Sequence, residues 1–141
     1  MAESTIHCDI VSAEGEIFSG AAKMVFVPAA QGELGIAPRH APLLTMIKAG
    51  EVRVQTPDGD EQFFYVGGGA LEIQPKRVTV LADTALRAKD VDEAAALAAK
   101  QRAEEILAGK IDKLEQAEAL AELARAAAQL KLLQKLRKIR G

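Results

Sequence analysis

The sequence predicts a mixed fold: an N-terminal all-β sandwich followed by an all-α antiparallel helical hairpin. Three observations carry it. Residues 5–81 contain short alternating apolar runs separated by turn signals. Composition then changes sharply, with 16 alanines among the 57 positions of residues 85–141 and no proline there. That second part also carries two successive helix start and stop signatures. The boundary falls at 86/87, giving a sandwich over residues 1–86 and a hairpin over residues 87–141.

Each element has a local cause. Ile6, Cys8 and Ile10 alternate with His7, Asp9 and Val11, so the first strand buries one face. Cys8 and His7 point to opposite faces and cannot form a nucleophile–base pair; Cys8 reads as a small core hydrophobe. Ala13–Glu16 is a turn and Ile17-Phe18 a short strand. Met24–Val27 is an apolar strand ending at Pro28. Gly32–Thr45 contains two glycines and two prolines, which predicts an irregular crossover with Leu34, Ile36, Leu43 and Leu44 near the core. Its acid Glu33 and its histidine His40 suit recognition better than catalysis. A strand over 44–48 should break at Gly50, and Val52 and Val54 resume the alternation. Thr56-Pro57-Asp58-Gly59-Asp60 is a hairpin turn, since proline fixes φ and Asp-Gly accepts positive φ. Gln62–Val66 returns, Gly67-Gly68-Gly69 breaks or bulges the strand, and residues 70–81 form a last hairpin. Such strands are compatible with a sandwich or a barrel.

In the helical part, Asp90 is placed as the cap of a first helix over 91–107, with Glu93 as its capping-box partner and Gly109 as its stop. Asp112 and Glu115 repeat the signature ahead of a second helix over 113–139. The expected contact stripes are Ala95, Ala99, Ala103 and Ile106 against Leu120, Ala124, Ala127 and Leu130 or Lys131. Alanine faces bury little area, so this hairpin should open more easily than the sandwich.

Composition excludes several classes. The single cysteine leaves no internal disulfide and no cysteine-based zinc cage. Met1–Thr5 lacks the basic and apolar pattern of a signal peptide, and the uncharged run 62–71 is too short to span a bilayer. No phosphate loop, His-Glu-x-x-His or Gly-x-Ser-x-Gly occurs, so no catalytic or metal residue is assigned. Charge is uneven: residues 123–141 carry six basic side chains and no acid. Lys131, Lys135, Arg137, Lys138 and Arg140, together with Arg125, have no local acid, and Leu130, Leu133, Leu136 and Ile139 lie among them. A basic amphipathic helix end of this kind can meet an acidic protein, an anionic membrane or a nucleic acid, or can be a solvated end that favours the helix dipole.

Four segments carry a resemblance: Gly32-Glu33-Leu34-Gly35-Ile36, His40–Thr45, Gly68–Pro75 and Val78–Ala85. In order and spacing over the whole chain they resemble the epsilon subunit family of bacterial F-type ATP synthase, whose fold is a β-sandwich followed by a helical hairpin. The resemblance implies a non-catalytic rotor component at the cytoplasmic face of the inner membrane, peripheral and without membrane insertion or nucleic-acid binding. The sandwich would bind the gamma subunit and rest on the c-ring, with Glu33 and His40 at the c-ring contact. The helices would extend to reach the alpha and beta subunits and inhibit ATP hydrolysis, with Lys131, Lys135, Arg137, Lys138 and Arg140 against an acidic segment of beta. No cofactor is implied, and ATP binding only weakly. Some relatives bind ATP through Ile/Leu-Asp-x-x-Arg-Ala; here Asp92 is kept and Arg102 matches a further arginine, but Ala95 replaces the motif arginine. Arg39 stands where many relatives have glycine, which predicts a local difference in the loop. Two other readings are a non-rotary scaffold or adaptor with a basic interaction helix and a small-ligand-binding sandwich.

Overall fold

The computed structural model describes residues 4–109 and 113–140, and places two compact units at Met1–Arg87 and Ala88–Gly141. The first is the β-sandwich and the second is built of two helices, as the sequence predicts.

Eight strands form the first unit: β1 (Ile6–Ser12), β2 (Gly15–Ala22), β3 (Met24–Ala29), β4 (Gly32–Ile36), β5 (Leu43–Gln55), β6 (Glu61–Gln74), β7 (Arg77–Ala82) and β8 (Ala85–Arg87). They make one sheet in the order β2-β1-β7-β6-β5-β3-β4, with β8 also on β6; among the described residues only β1 and β7 pair in parallel. The sheet folds over on itself. Phe18 of β2 packs on Phe64 of β6 with ring centroids 5.5 Å apart, although three strand pairings separate them in the sheet. Arg87 of β8 likewise donates to the Ile17 carbonyl of β2 at 2.8 Å. Between the layers lies an aliphatic core of Ile6, Cys8, Ile10, Val25, Val27, Ile36, Val52, Val54, Leu71, Ile73, Val78 and Val80, with Phe64 the aromatic member.

The fold turns on β5 and β6, 13 and 14 residues long. Neither is broken by its glycines, contrary to the sequence expectation. Their register runs unshifted from Leu43↔Ile73 to Gln55↔Glu61. Gly50 lies inside β5 because an added Cβ would come 3.0 Å from Pro28, so the glycine makes room for that proline. Pro28 in turn lies inside β3, where the register against β5 shifts between Phe26 and Ala29 and no amide is required of it. On its other edge β6 pairs with β8 through Phe64–Val66 and with β7 through Gly69–Gln74. The register is the same on both sides of Asp83-Thr84, where Asp83 N–H donates to Gly68 O and Gly67 N–H to Thr84 O. β7 and β8 are thus one strand with a kink, and β6 bends beside it. Gly68 and Gly69 take φ of 112° and 137°, and a Cβ on Gly69 would lie 2.1 Å from the Leu81 carbonyl oxygen.

The expected irregular crossover is also mostly strand. Gly32–Ile36 is β4 on β3, Leu43–Thr45 opens β5, and only the 37–42 link lies between them. Backbone pairing with β3 overrides the glycines, which sit where strand geometry tolerates them.

In the second unit a short 3₁₀ turn, Ala88–Asp90, precedes α1 (Glu93–Ala108) and α2 (Lys113–Arg140). The cap of α1 is Asp92, not Asp90: its carboxylate accepts from the Ala95 amide at 3.1 Å. The second capping residue, Asp112, lies outside the described residues. Along α1 the covered positions are Ala96, Ala99, Lys100, Ala103 and Leu107, and along α2 they include Ala119, Leu123, Ala126, Leu130, Leu132 and Leu133. Leu120, Ala124, Ala127 and Lys131 face solvent, so the α2 stripe lies one position from that read off the sequence; with alanine on nearly every face, composition fixes no phase. Ion pairs Arg102–Glu122, at 2.9 Å, and Arg137–Glu93 link the two helices.

Gly69→Ala should cost about 2–4 kcal/mol, since it adds a steric clash to a backbone conformation unfavourable for alanine. Gly20→Ala, where the nearest atom lies at an ordinary 3.4 Å, should stay within about 1 kcal/mol. Denaturant midpoints of the two variants check this.

Candidate functional site

The outer face of the sandwich carries two distinct surfaces. One is polar and spans β2, β1 and β7. Asp9 is 8% exposed, although the alternation puts it on the outward face. Its Oδ1 accepts from Ser19 Oγ at 2.7 Å and lies 2.9 Å from His7 Nε2; its Oδ2 accepts from Arg77 Nη1 at 2.9 Å. The register explains the convergence, because Asp9 faces Ser19 across β1–β2 and His7 faces Arg77 across β1–β7. Burial pushes the Asp9 carboxyl up, but hydrogen bonds from Ser19 and His7 and the charges of His7 and Arg77 outweigh it and hold the group below the usual carboxylate range.

A serine, a histidine and an aspartate therefore meet here, which the sequence did not suggest. They do not form a nucleophilic relay. Both contacts of His7 are made through Nε2, and Ser19 donates straight to Asp9. A relay needs the acid on one ring nitrogen and the hydroxyl on the other. The cluster is a cross-strand clasp. Cys8, on the opposite face, is inert as well: burial, aided by the charge of Asp9, pushes its thiol up to about 12.

The second surface is apolar and was missed from sequence. Leu44 is 74% exposed and Met46 62%, on the outward face of β5. Met46 pairs with Ala70 of β6 and Ala70 with Leu81 of β7, so Leu81, 49% exposed, extends the same row. Leu43 too is partly exposed, so of the four apolar residues expected near the core only Ile36 is buried and Leu34 packs against it. Alternation alone misleads here: Val52 and Val54 point inward and share the parity of Leu44 and Met46, but the inward face of β5 changes between Ile47 and Val52, which leaves Leu44, Met46 and Lys48 outward. Large apolar side chains left on a strand's solvent face mark a partner surface.

Glu33 lies exposed on β4 opposite Pro28, and His40 lies half-buried in the 37–42 link. His40 Nδ1 is 2.7 Å from the Ala41 carbonyl, and its amide donates to Ala37 O. Arg39 adopts φ 67°, the left-handed conformation that glycine holds at least cost, and its amide donates to Pro75 O at 2.9 Å.

In the helical unit the structure does not bring Asp92 and Arg102 together. Asp92 caps α1, and Arg102, ten residues on and so roughly 15 Å along the axis at ~1.5 Å per residue, is held by Glu122. Beside that pair, Glu105, Glu115, Glu118 and Glu122 border a cleft of about 510 Å³ whose charge opposes a phosphate chain. Of the basic residues at the end of α2, Lys131 and Lys138 are exposed, Lys135 is half-buried, and Arg137 finds an acid across the hairpin in Glu93. The absence of a local acid in sequence therefore did not mean an unpaired charge. The side chain of Arg140 lies outside the described residues. Among the described residues no group of acids, histidines or cysteines could hold a metal ion, and no helix is long and apolar enough to cross a membrane.

A sandwich with an apolar outer row, joined to an alanine-rich helical hairpin, has the build of a subunit that docks into an assembly. Residues 5–88 match the beta-sandwich domain of the ATP synthase delta/epsilon chain, and residues 89–134 match the long alpha-helix domain of the same chain. The chain belongs to the ATP synthase delta/epsilon family, on its epsilon side. It is 65% identical to the ATP synthase epsilon chain of Nitrosococcus oceani over 97% of this chain and 98% of that protein. It is 59% identical to that of Halorhodospira halophila over 96% of each. The fold recurs at 14% identity in a chain of the Euglena gracilis mitochondrial ATP synthase, F1 with its c-ring, with a TM-score of 0.82 over 92% of this chain and 82% of that one.

Asp9→Asn should lower stability at pH 7 by about 1–3 kcal/mol, since it removes a charged acceptor from three donors. Because the folded carboxyl lies below its unfolded value of about 4, its contribution is present above that pH and is lost as pH falls through the folded value. Denaturation of wild type and variant between pH 7 and pH 3 should show the two stabilities converging only at the acid end.

Proposed function

We propose that this chain is a central-stalk rotor subunit of the proton-translocating ATP synthase, coupling rotation of a c-ring to ATP synthesis from ADP and phosphate. Its sandwich, residues 1–86, is the rotor-binding domain and its hairpin, residues 87–141, the regulatory one. The observation that carries the reading is the exposed apolar row Leu44, Met46 and Leu81 on a sandwich whose family is that of the epsilon chain. That row is the surface for the gamma subunit. Glu33, on β4, and His40, in the 37–42 link, meet polar loops of the c-ring. The protein lies peripherally at the cytoplasmic face of the bacterial inner membrane.

The hairpin supplies regulation. Its interface is mostly alanine, so it opens at modest cost, and the end of α2 then reaches the alpha and beta subunits. Lys131, Lys135, Arg137, Lys138 and Arg140 meet acidic residues of beta in that form and hold ATP hydrolysis down. Exposed ion pairs contribute about 0.2–1 kcal/mol each. Arg137 must also leave Glu93, so charge alone is insufficient; Ile139, exposed in the closed form, adds burial in the extended one, and Leu133 and Leu136, half-buried already, complete theirs.

Two experiments test these assignments. Leu44→Asp with Met46→Asp should weaken co-purification with gamma by about 2–4 kcal/mol of lost apolar burial, roughly thirty- to a thousandfold. Leu120→Asp, at a position 52% exposed on α2, should leave it unchanged. Equal recovery of gamma in both cases would move the rotor contact elsewhere.

In the assembled enzyme, Lys135→Glu, Arg137→Glu and Lys138→Glu together should raise ATP hydrolysis. The shift in the closed–extended balance is roughly 1–3 kcal/mol, largest at low ionic strength. Glu93→Gln, which frees Arg137 from the closed hairpin, should act in the opposite direction. Hydrolysis unchanged by the triple variant at low and high salt would make the basic end a solvated helix terminus.

A further inference from the structure

We infer that a cleft on the sandwich, between the start of β1, the 37–42 link and the β6–β7 turn, is a binding site for a phosphate-bearing anion. Its volume is about 510 Å³, and its polar lining is Ser4, Thr5, His7, Arg39 and Lys76; the rest is proline and alanine. That size is within the range of small-molecule sites. A guanidinium, an ammonium and two hydroxyls form a donor set suited to phosphate oxygens.

Among the described residues no carboxylate lines the cleft and none pairs with Arg39 or Lys76. Asp9, two positions from His7, is already engaged by Ser19, His7 and Arg77. The donors are also fixed in place before any ligand arrives. Arg39 N–H donates to Pro75 O at 2.9 Å and His7 N–H to Lys76 O at 3.0 Å, so main-chain bonds tie the link and the strand to the same turn. Binding therefore does not have to order the backbone that carries these side chains.

Arg39 supplies the sharper argument. Its φ of 67° is a conformation in which a side chain costs stability and glycine does not. Residues held in such conformations cluster at ligand sites, where the side chain is needed. Here that side chain is a cation lining a cleft whose described lining holds no acid.

The test uses the full-length, ¹⁵N-labelled chain and inorganic pyrophosphate at constant ionic strength, with sodium chloride as the matched control. Pyrophosphate should produce saturable amide shifts at Thr5, His7, Arg39 and Lys76, with half-saturation near a millimolar or below, which is about 4 kcal/mol of binding. Arg39→Gly and Lys76→Gln should each weaken it about tenfold. Glycine suits the backbone at position 39, so that variant keeps its fold, and unchanged amide positions elsewhere verify this. Phosphatidylglycerol vesicles separate the two sources of phosphate. Co-sedimentation that pyrophosphate and Arg39→Gly both abolish assigns a lipid headgroup, whereas saturable pyrophosphate binding without co-sedimentation assigns a soluble phosphate. Non-saturating shifts, the same shifts with chloride, or wild-type affinity in both variants would overturn the site.

Discussion

At Gly69 the backbone of β6 comes so close to the Leu81 carbonyl of β7 that a single added carbon would overlap it. That approach lets β6 bend while keeping one unbroken register with β5 along its whole length and with β7 and β8 on its other edge. The bend folds one sheet into two layers and brings Phe18 of β2 against Phe64 of β6. Aliphatic residues from both layers then share a core, which supplies the apolar burial that stabilises the unit. The polar clasp on Asp9 and the apolar row on β5, β6 and β7 both lie on strands whose spacing this closure sets.

The two units are stabilised by different means. The sandwich has a continuous core of fully buried β-branched residues. On the two helices the buried residues among those described are four alanines and Leu132, and exposed ion pairs add to them, so the hairpin buries far less apolar surface than the sandwich. The function proposed above would use this division, with the sandwich as the firm part and the hairpin as the part that opens. The same alanines that limit burial in the hairpin permit the helices to approach closely.

Of the candidate sites, those formed by one stretch of chain were visible in sequence and those formed across strands were not. Glu33, His40 and the basic end of α2 could be named from local pattern and from the family motifs. Asp9 reads as an outward-facing acid because its three donors come from residues 7, 19 and 77, and only the register joins them. The cleft beside it unites residues 4–7, 39 and 76 for the same reason. Leu44 reads as a core residue because it has the parity of Val52 and Val54; the inward face of β5 changes between Ile47 and Val52, and only the folded sheet shows that.

The sequence by itself determined the division into sandwich and hairpin, the inward face of β1, the Thr56–Asp60 turn and the two helices with their stop at Gly109. Each follows from periodicity, turn chemistry or capping within a few residues, and neighbours in sequence suffice to express them. Only the tertiary structure decided that Gly32–Ile36 is a strand, that Gly50 and Gly67–Gly69 lie inside strands, and which alanines of α2 face α1. In each case the local preference is weak or ambiguous, and the outcome rests on contacts made by residues far along the chain: β3 beside β4, Pro28 over Gly50, Leu81 against Gly69. Glycine signals that the backbone has freedom; what the freedom is used for depends on what packs against it.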